Sequence, residues 1–272
     1  MALIPKEYFN CVLALGRKPE TEWIATCFLC SKKIESKGRY HFLVTNKHVF
    51  DGEKELYVRL YNNNTKEYES LKATLQNENG NILYSTHQNA DVATVIIQAG
   101  DLLRAGFTWT GFDVDTGMMS SKDYYEAGGS VGARVFMLGF PMGLVDIYKN
   151  DPICRGGYIA REENDGYLLD IQNFPGNSGS PIISCPEIVK VHGTTAMTSC
   201  ALIGIVNSYK PYNKPLINTQ TGNTIGYVDE NSGLAYAYSV ESIREVINME
   251  LKRNGISELK HEEKSFNSPL PQ

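Results

Sequence analysis

Ser178 stands in the run from Phe174 to Pro181, held between Gly176 and Gly179. A serine hydroxyl is a poor nucleophile at neutral pH. It needs a base to take its proton during attack on an acyl carbon, and that base must return the proton to the leaving group. His48 supplies an imidazole for this work, at the end of the apolar stretch that begins at Leu43. Asp91 opens a β-branched run reaching Ile97, where a carboxylate without a partner would be costly. It suits the far ring nitrogen of His48, holding the tautomer and stabilising the imidazolium. The tetrahedral oxyanion formed on attack needs convergent backbone donors, and the N–H groups of Gly176 and Ser178 fill that role. A side chain at either glycine would obstruct both the turn and the substrate.

The elements that must position these groups read as short β-runs separated by turn signals. They fall at 11–15, 23–31, 39–45, 56–61, 71–76, 92–97, 134–139, 157–161, 167–171, 180–184, 201–208 and 234–238. Many short strands at regular spacing predict an all-β sandwich or barrel rather than an α/β fold. The stretch from about 105 to 131 differs in texture, with scattered glycines, an acidic patch and the pair Gly128 and Gly129. It reads as a connection between halves. The organisation expected is an N-terminal lobe at 1–110 with His48 and Asp91, a linker at 111–131, and a C-terminal lobe at 132–238 with Ser178. One helix is predicted at 239–255: Ser239 suits its N-cap, Val240, Ile243, Val246 and Ile247 recur at helical spacing, and Gly255 stops it. Residues 256–272 are polar and read as a loose tail.

Composition narrows the function classes. With 272 residues the chain can bury a substantial core. Its net charge of −5 argues against nucleic acid as a partner. No apolar run spans a bilayer, so no membrane partner is expected. Residues 1–9 lack a basic start followed by a long apolar stretch, which predicts a cytoplasmic protein with free thiols. Cys27 and Cys30 have the spacing of a zinc or redox pair, but three residues apart on a strand they face opposite sides, so no metal and no cofactor is expected. Cys185 and Cys200 flank a hairpin in which they would face each other unbonded. No cysteine stands in the glycine frame of the nucleophile.

The chain resembles the trypsin-like (chymotrypsin-fold) serine peptidase superfamily, nearest to bacterial HtrA/Deg-type protease domains without a PDZ domain. The resemblance is carried by Leu43–Val49, Ala90–Ile96, Gly139–Gly143, Pro175–Pro181, Ile203–Val206 and Gly233–Val240, in the family's order. It implies two antiparallel six-stranded β-barrels, a catalytic triad of His48, Asp91 and Ser178 in the cleft between them, and a C-terminal helix. It also implies a substrate pocket walled by Gln172, Asn173, Phe174, Asn207, Tyr209 and Tyr236. No acid stands at Gln172, so small or medium apolar side chains are expected rather than Arg or Lys. Asn177 occupies the position where digestive trypsins carry an aspartate that pairs with a new N-terminus, so that activation route is absent. Ser180 replaces a more usual glycine.

The implied activity is a serine endopeptidase acting on a protein or peptide substrate. It is either competent as it stands or latent until an activating partner or ligand orders 172–179 or the loop expected at 209–232. The competing reading is a catalytically weak fold kept for binding peptides or proteins. His41, His87, His192 and His261 are read as ordinary structural histidines. Pro141 and Gly143 are read as shaping a turn, and Phe107, Trp109 and Phe112 as packing the linker.

Overall fold

A computed structural model describes residues 4–35, 37–146, 148–185 and 199–256. Strands dominate it. The first half forms one nine-stranded sheet. Its long strands are β1 (Val12–Gly16), β2 (Trp23–Ile34), β3 (Gly38–Thr45), β4 (Glu55–Asn62), β5 (Glu67–Thr74) and β7 (Ala93–Ile97). Three two-residue strands complete it: β6 (Ser85–Thr86), β8 (Phe107–Thr108) and β9 (Phe112–Asp113). The order runs β5-β4-β1-β2-β3-β7-β6, with β8 on β4 and β9 parallel to β2. The sheet holds nine strands where a six-stranded barrel was expected; six of them are long, and two of the short additions, β8 and β9, come from the segment between the halves.

The second half closes into a six-stranded barrel. Its strands are β10 (Arg134–Gly139), β11 (Ile153–Glu163), β12 (Gly166–Asp170), β13 (Pro181–Ser184), β14 (Ala201–Ile217) and β15 (Thr224–Ser239), in the order β10-β11-β12-β15-β14-β13. Strand pairing inside the barrel is antiparallel throughout. The helices are short except the last: α1 (Lys6–Asn10), α2 (Lys47–Phe50), α3 (Ala99–Arg104), α4 (Ser121–Glu126) and α5 (Val240–Arg253).

The alternation of side chains across β2 explains how the two halves meet. Cys27 and Leu29 enter the interior of the first sheet with Leu13, Leu15 and Leu43. Phe28 and Cys30 point the other way, into a core shared with Leu138, Ile205 and α5. Both faces of β1 and β2 are therefore buried, which is why Val12–Leu15 is apolar without interruption. The parity also separates Cys27 from Cys30, as expected of a strand. All six cysteines are free thiols, and no metal-binding cluster occurs among the described residues.

Helix α5 buries Val240, Ile243, Val246, Ile247 and Leu251 in the shared core, each contributing about 1.5–3 kcal/mol relative to exposure. Ser239 occupies the N-cap position but its side chain makes no capping bond. Gly255 follows the helix at φ +69°, the left-handed conformation that ends helices. Fully buried Glu250 fastens α5 to the first sheet. It accepts from Ser85 Oγ at 2.6 Å, Ile96 N at 3.2 Å and Arg253 Nη2 at 2.6 Å.

Two expectations are revised. Residues 209–232, read as a loop, are mostly strand: β14 and β15 continue as a two-stranded ribbon to a turn at 218–223. Pro211 and Pro215 misled the reading. They sit where β14 has only β15 beside it, and an edge without a further neighbour tolerates residues lacking a donor. The segment 105–131 likewise holds β8, β9 and α4 rather than a bare connection. The expected tail and the segment between Cys185 and Cys200 fall outside the described residues from 257 onward and over 186–198, which also contain His261 and His192. No helix among the described residues is long and apolar enough to cross a membrane.

Candidate active site

His48 lies in α2, at the exit of β3, with its side chain about half exposed. Its Nδ1 is 2.6 Å from Asp91 Oδ2, while its backbone N–H donates to Asp91 Oδ1 at 2.9 Å. Both carboxylate oxygens are thus engaged by one residue, which fixes the imidazole against the acid. Asn46 holds the other side: its Nδ2 donates to the Asp91 carbonyl at 2.8 Å. Asn46 occupies the N-cap position of α2 but makes no capping bond. Burial raises the Asp91 pKa, but hydrogen bonds from the His48 ring and backbone outweigh it and leave the carboxyl below its ordinary value.

The loop carrying Asp91 is shaped by a second histidine. His87 Nδ1 accepts from the N–H groups of Asn89 at 3.2 Å and Ala90 at 2.8 Å. Accepting there leaves the proton on Nε2, which faces Glu245 Oε2 of α5 at 2.8 Å. The His87 backbone N–H closes the loop by donating to Val92 O at 2.9 Å. The sequence reading gave His87 no role beyond structure; its contacts are with the segment that ends at Asp91. His41 keeps its structural reading, half-buried and accepting from Trp109 Nε1 at 3.1 Å. Burial, and then Arg39, lower its pKa.

Ser178 sits half-buried on the opposite half, in a turn clamped by β2. Thr26 N donates to Ser178 O at 2.9 Å, and Thr26 Oγ1 donates to Gly176 O at 2.7 Å. The same hydroxyl accepts from Phe140 N at 3.0 Å. Gly176 has φ +95°, and a Cβ there would lie 2.3 Å from Phe140 O. Gly179 has φ +85°, and its Cβ would strike Thr26 O at 2.2 Å and Thr45 Oγ1 at 2.3 Å. Both glycines are demanded by conformation and by space. The Pro141–Gly143 turn packs against Gly176, with Met142 N donating to Pro175 O at 2.5 Å. It is thus a neighbour of the turn carrying Ser178.

The N–H groups of Gly176 and Ser178 donate no hydrogen bond among the described residues. Ser178 Oγ makes none either, and no hydrogen bond joins it to His48 there. Base–nucleophile contacts in free enzymes are often long and tighten with substrate. Beneath the turn, Asn177 is 1% exposed and Ser180 fully buried. The Asn177 amide atoms and Ser180 Oγ have no hydrogen-bond partner among the described residues. Gly139 makes room for them, since a Cβ there would meet Ser180 Oγ at 2.0 Å.

The six residues expected to wall a pocket lie on the segment before Gly176, on β14 and on β15. Asn173 is buried, and its carbonyl accepts from Asn231 Nδ2 on β15 at 2.5 Å. Phe174 is half-buried, with the Arg155 guanidinium 5.0 Å from its ring centre. Asn207 and Tyr209 are half-buried on β14, and Tyr209 pairs with Ala235. Tyr236 is paired with Leu168 of β12, and Gln172 is exposed. Arg155, which packs on Phe174, comes from β11.

Residues 25–187 match the family model of the trypsin-like peptidase domain. The chain belongs to this family. The matched span includes His48, Asp91 and Ser178, and the trypsin-like fold is that of a serine protease. No curated protein sequence matches the chain significantly. Among solved structures, it is similar to Rv3671c from M. tuberculosis H37Rv, crystallised as the inactive form of a serine-to-alanine mutant. The two are 12% identical, with a TM-score of 0.45 over 88% of this trypsin-like chain and 86% of the other.

Proposed function

We propose that this trypsin-like peptidase is a serine endopeptidase acting through an acyl-enzyme. The observation that carries the reading is the two-point engagement of Asp91 by His48, at 2.6 Å and 2.9 Å. With Asp91 on Nδ1, His48 presents Nε2 as the base. Ser178 Oγ attacks the peptide carbonyl, and its proton passes to Nε2. The oxyanion is received by the N–H groups of Gly176 and Ser178, which have no other acceptor among the described residues. Collapse expels the amine, protonated by His48, and leaves an ester on Ser178. Water, deprotonated by the same imidazole, hydrolyses that ester and restores the serine.

The pocket of Gln172, Asn173, Phe174, Asn207, Tyr209 and Tyr236 would take the side chain preceding the cleaved bond. Free cysteines throughout fit a reducing compartment, and we place the protein in the cytoplasm. The test is cleavage of an unstructured protein such as casein by the wild type and by Ser178→Ala. Cleavage by the wild type alone supports the endopeptidase; equal rates would remove it.

A further inference from the structure

A cavity of about 200 Å³ lies away from the nucleophile turn, where β4, β5, the segment after β8 and a loop of the second half come together. Arg59, Tyr61, Tyr68, Trp109 and Asn150 line it. Arg59 is only 5% exposed. Its Nη2 donates to Tyr68 O at 3.0 Å and its Nη1 reaches Asp146 O at 3.4 Å, but Nε has no partner among the described residues. No carboxylate forms an ion pair with it among the described residues. Asp151 is near enough to act on Tyr68, whose hydroxyl pKa is raised first by burial and then by that charge, yet it does not pair with Arg59.

A buried cation held only by carbonyls is costly. Tyr61 and Tyr68 meet edge to face with ring centres 5.3 Å apart, so the walls are aromatic. A carboxylate would compensate the guanidinium by charge-assisted hydrogen bonds, and the rings would receive an apolar body. Cavities of about 150 Å³ already hold a benzene-sized molecule, which sets the scale.

We propose that this cavity is a binding site for a small organic carboxylate with a compact apolar body, its anion drawn to Arg59. The site bridges the two halves, because Asp146 and Asn150 belong to the stretch that follows the Pro141–Gly143 turn beside Gly176. It does not depend on the peptidase reading, so binding is tested on the full chain carrying Ser178→Ala. The probes are phenylacetate and its neutral counterpart phenylacetamide, followed by calorimetry and by the emission of Trp109, one of two tryptophans in the chain.

Phenylacetate should bind saturably, one per chain, and change the emission, with Trp109→Phe removing that change. The amide should bind at least about tenfold more weakly. Arg59→Gln should abolish carboxylate binding. Absence of saturable binding at millimolar phenylacetate, equal affinity for the amide, or undiminished binding by folded Arg59→Gln would each overturn the site. Should Arg59→Gln fail to fold, the comparison of carboxylate with amide on the Ser178→Ala chain decides alone.

Discussion

Thr26, on the first sheet, donates its backbone N–H to the carbonyl of Ser178 in the second half at 2.9 Å. Its hydroxyl at the same time bridges Phe140 N and Gly176 O. One fully buried residue therefore ties the turn carrying Ser178, and the turn packed beside it, to the half that carries His48 and Asp91. Thr26→Val keeps the shape and removes the bridge, leaving a buried donor and acceptor unmet at about 1–3 kcal/mol each. The melting temperature should fall. Turnover should fall by up to about a hundredfold, because a small misplacement of oxyanion donors is expensive. Unchanged kcat in a folded Thr26→Val protein would show that the bridge does not position Gly176.

His87 should act on the reaction through Asp91. His87→Ala frees the Asn89 and Ala90 N–H groups, and kcat should drop about tenfold with KM little altered. His87→Asn should restore most of the loss, since an asparagine oxygen accepts from the N–H two residues on, as Nδ1 does here. Steady-state kinetics on the pair checks this. Equal loss in both variants would assign His87 to packing alone.

The blocks around His48, Asp91 and Ser178 were legible because each is local: a strand leading into a base, an acid opening a strand, a serine framed by glycines. The long strands were legible for the same reason. Thr26 was not, because its partner Gly176 lies 150 residues away and an interior threonine on a strand looks like any other. His87 and Glu245 are separated by 158 residues, so neither advertises the other. The ribbon at 209–232 was misread because proline and glycine, which break central strands, are tolerated where an edge is free. Arg59 carried no signal at all, since a charge on an alternating strand normally marks the solvent face.

Asn177→Asp should destabilise the protein, and increasingly so as pH rises. The amide is buried, and no cation contacts it among the described residues. An aspartate there would have its pKa raised in the folded state by burial. Such a group contributes no penalty while protonated, and stability is lost as pH climbs through the raised value. Melting temperatures measured from about pH 5 to about pH 8 should diverge from wild type toward the alkaline end. Parallel curves would mean that the site accommodates the charge.

Asp91 behaves in the opposite sense. Its folded pKa lies below the ordinary value, so its hydrogen bonds stabilise the fold above the unfolded value. That stabilisation is lost as pH falls through the lowered one. Asp91→Asn should flatten the acid limb of stability against pH while cutting turnover by about four orders of magnitude. An acid limb identical to wild type would locate the acid sensitivity elsewhere.

The most direct test of the central claim is intact-mass analysis after exposure to a fluorophosphonate, on wild type and on Ser178→Ala. A single adduct on the wild type that vanishes in the variant is the predicted result, because only a serine activated by His48 and faced by oxyanion donors reacts at an appreciable rate. An adduct that persists in Ser178→Ala, or none on folded wild-type protein, would contradict an assembled site of His48, Asp91 and Ser178.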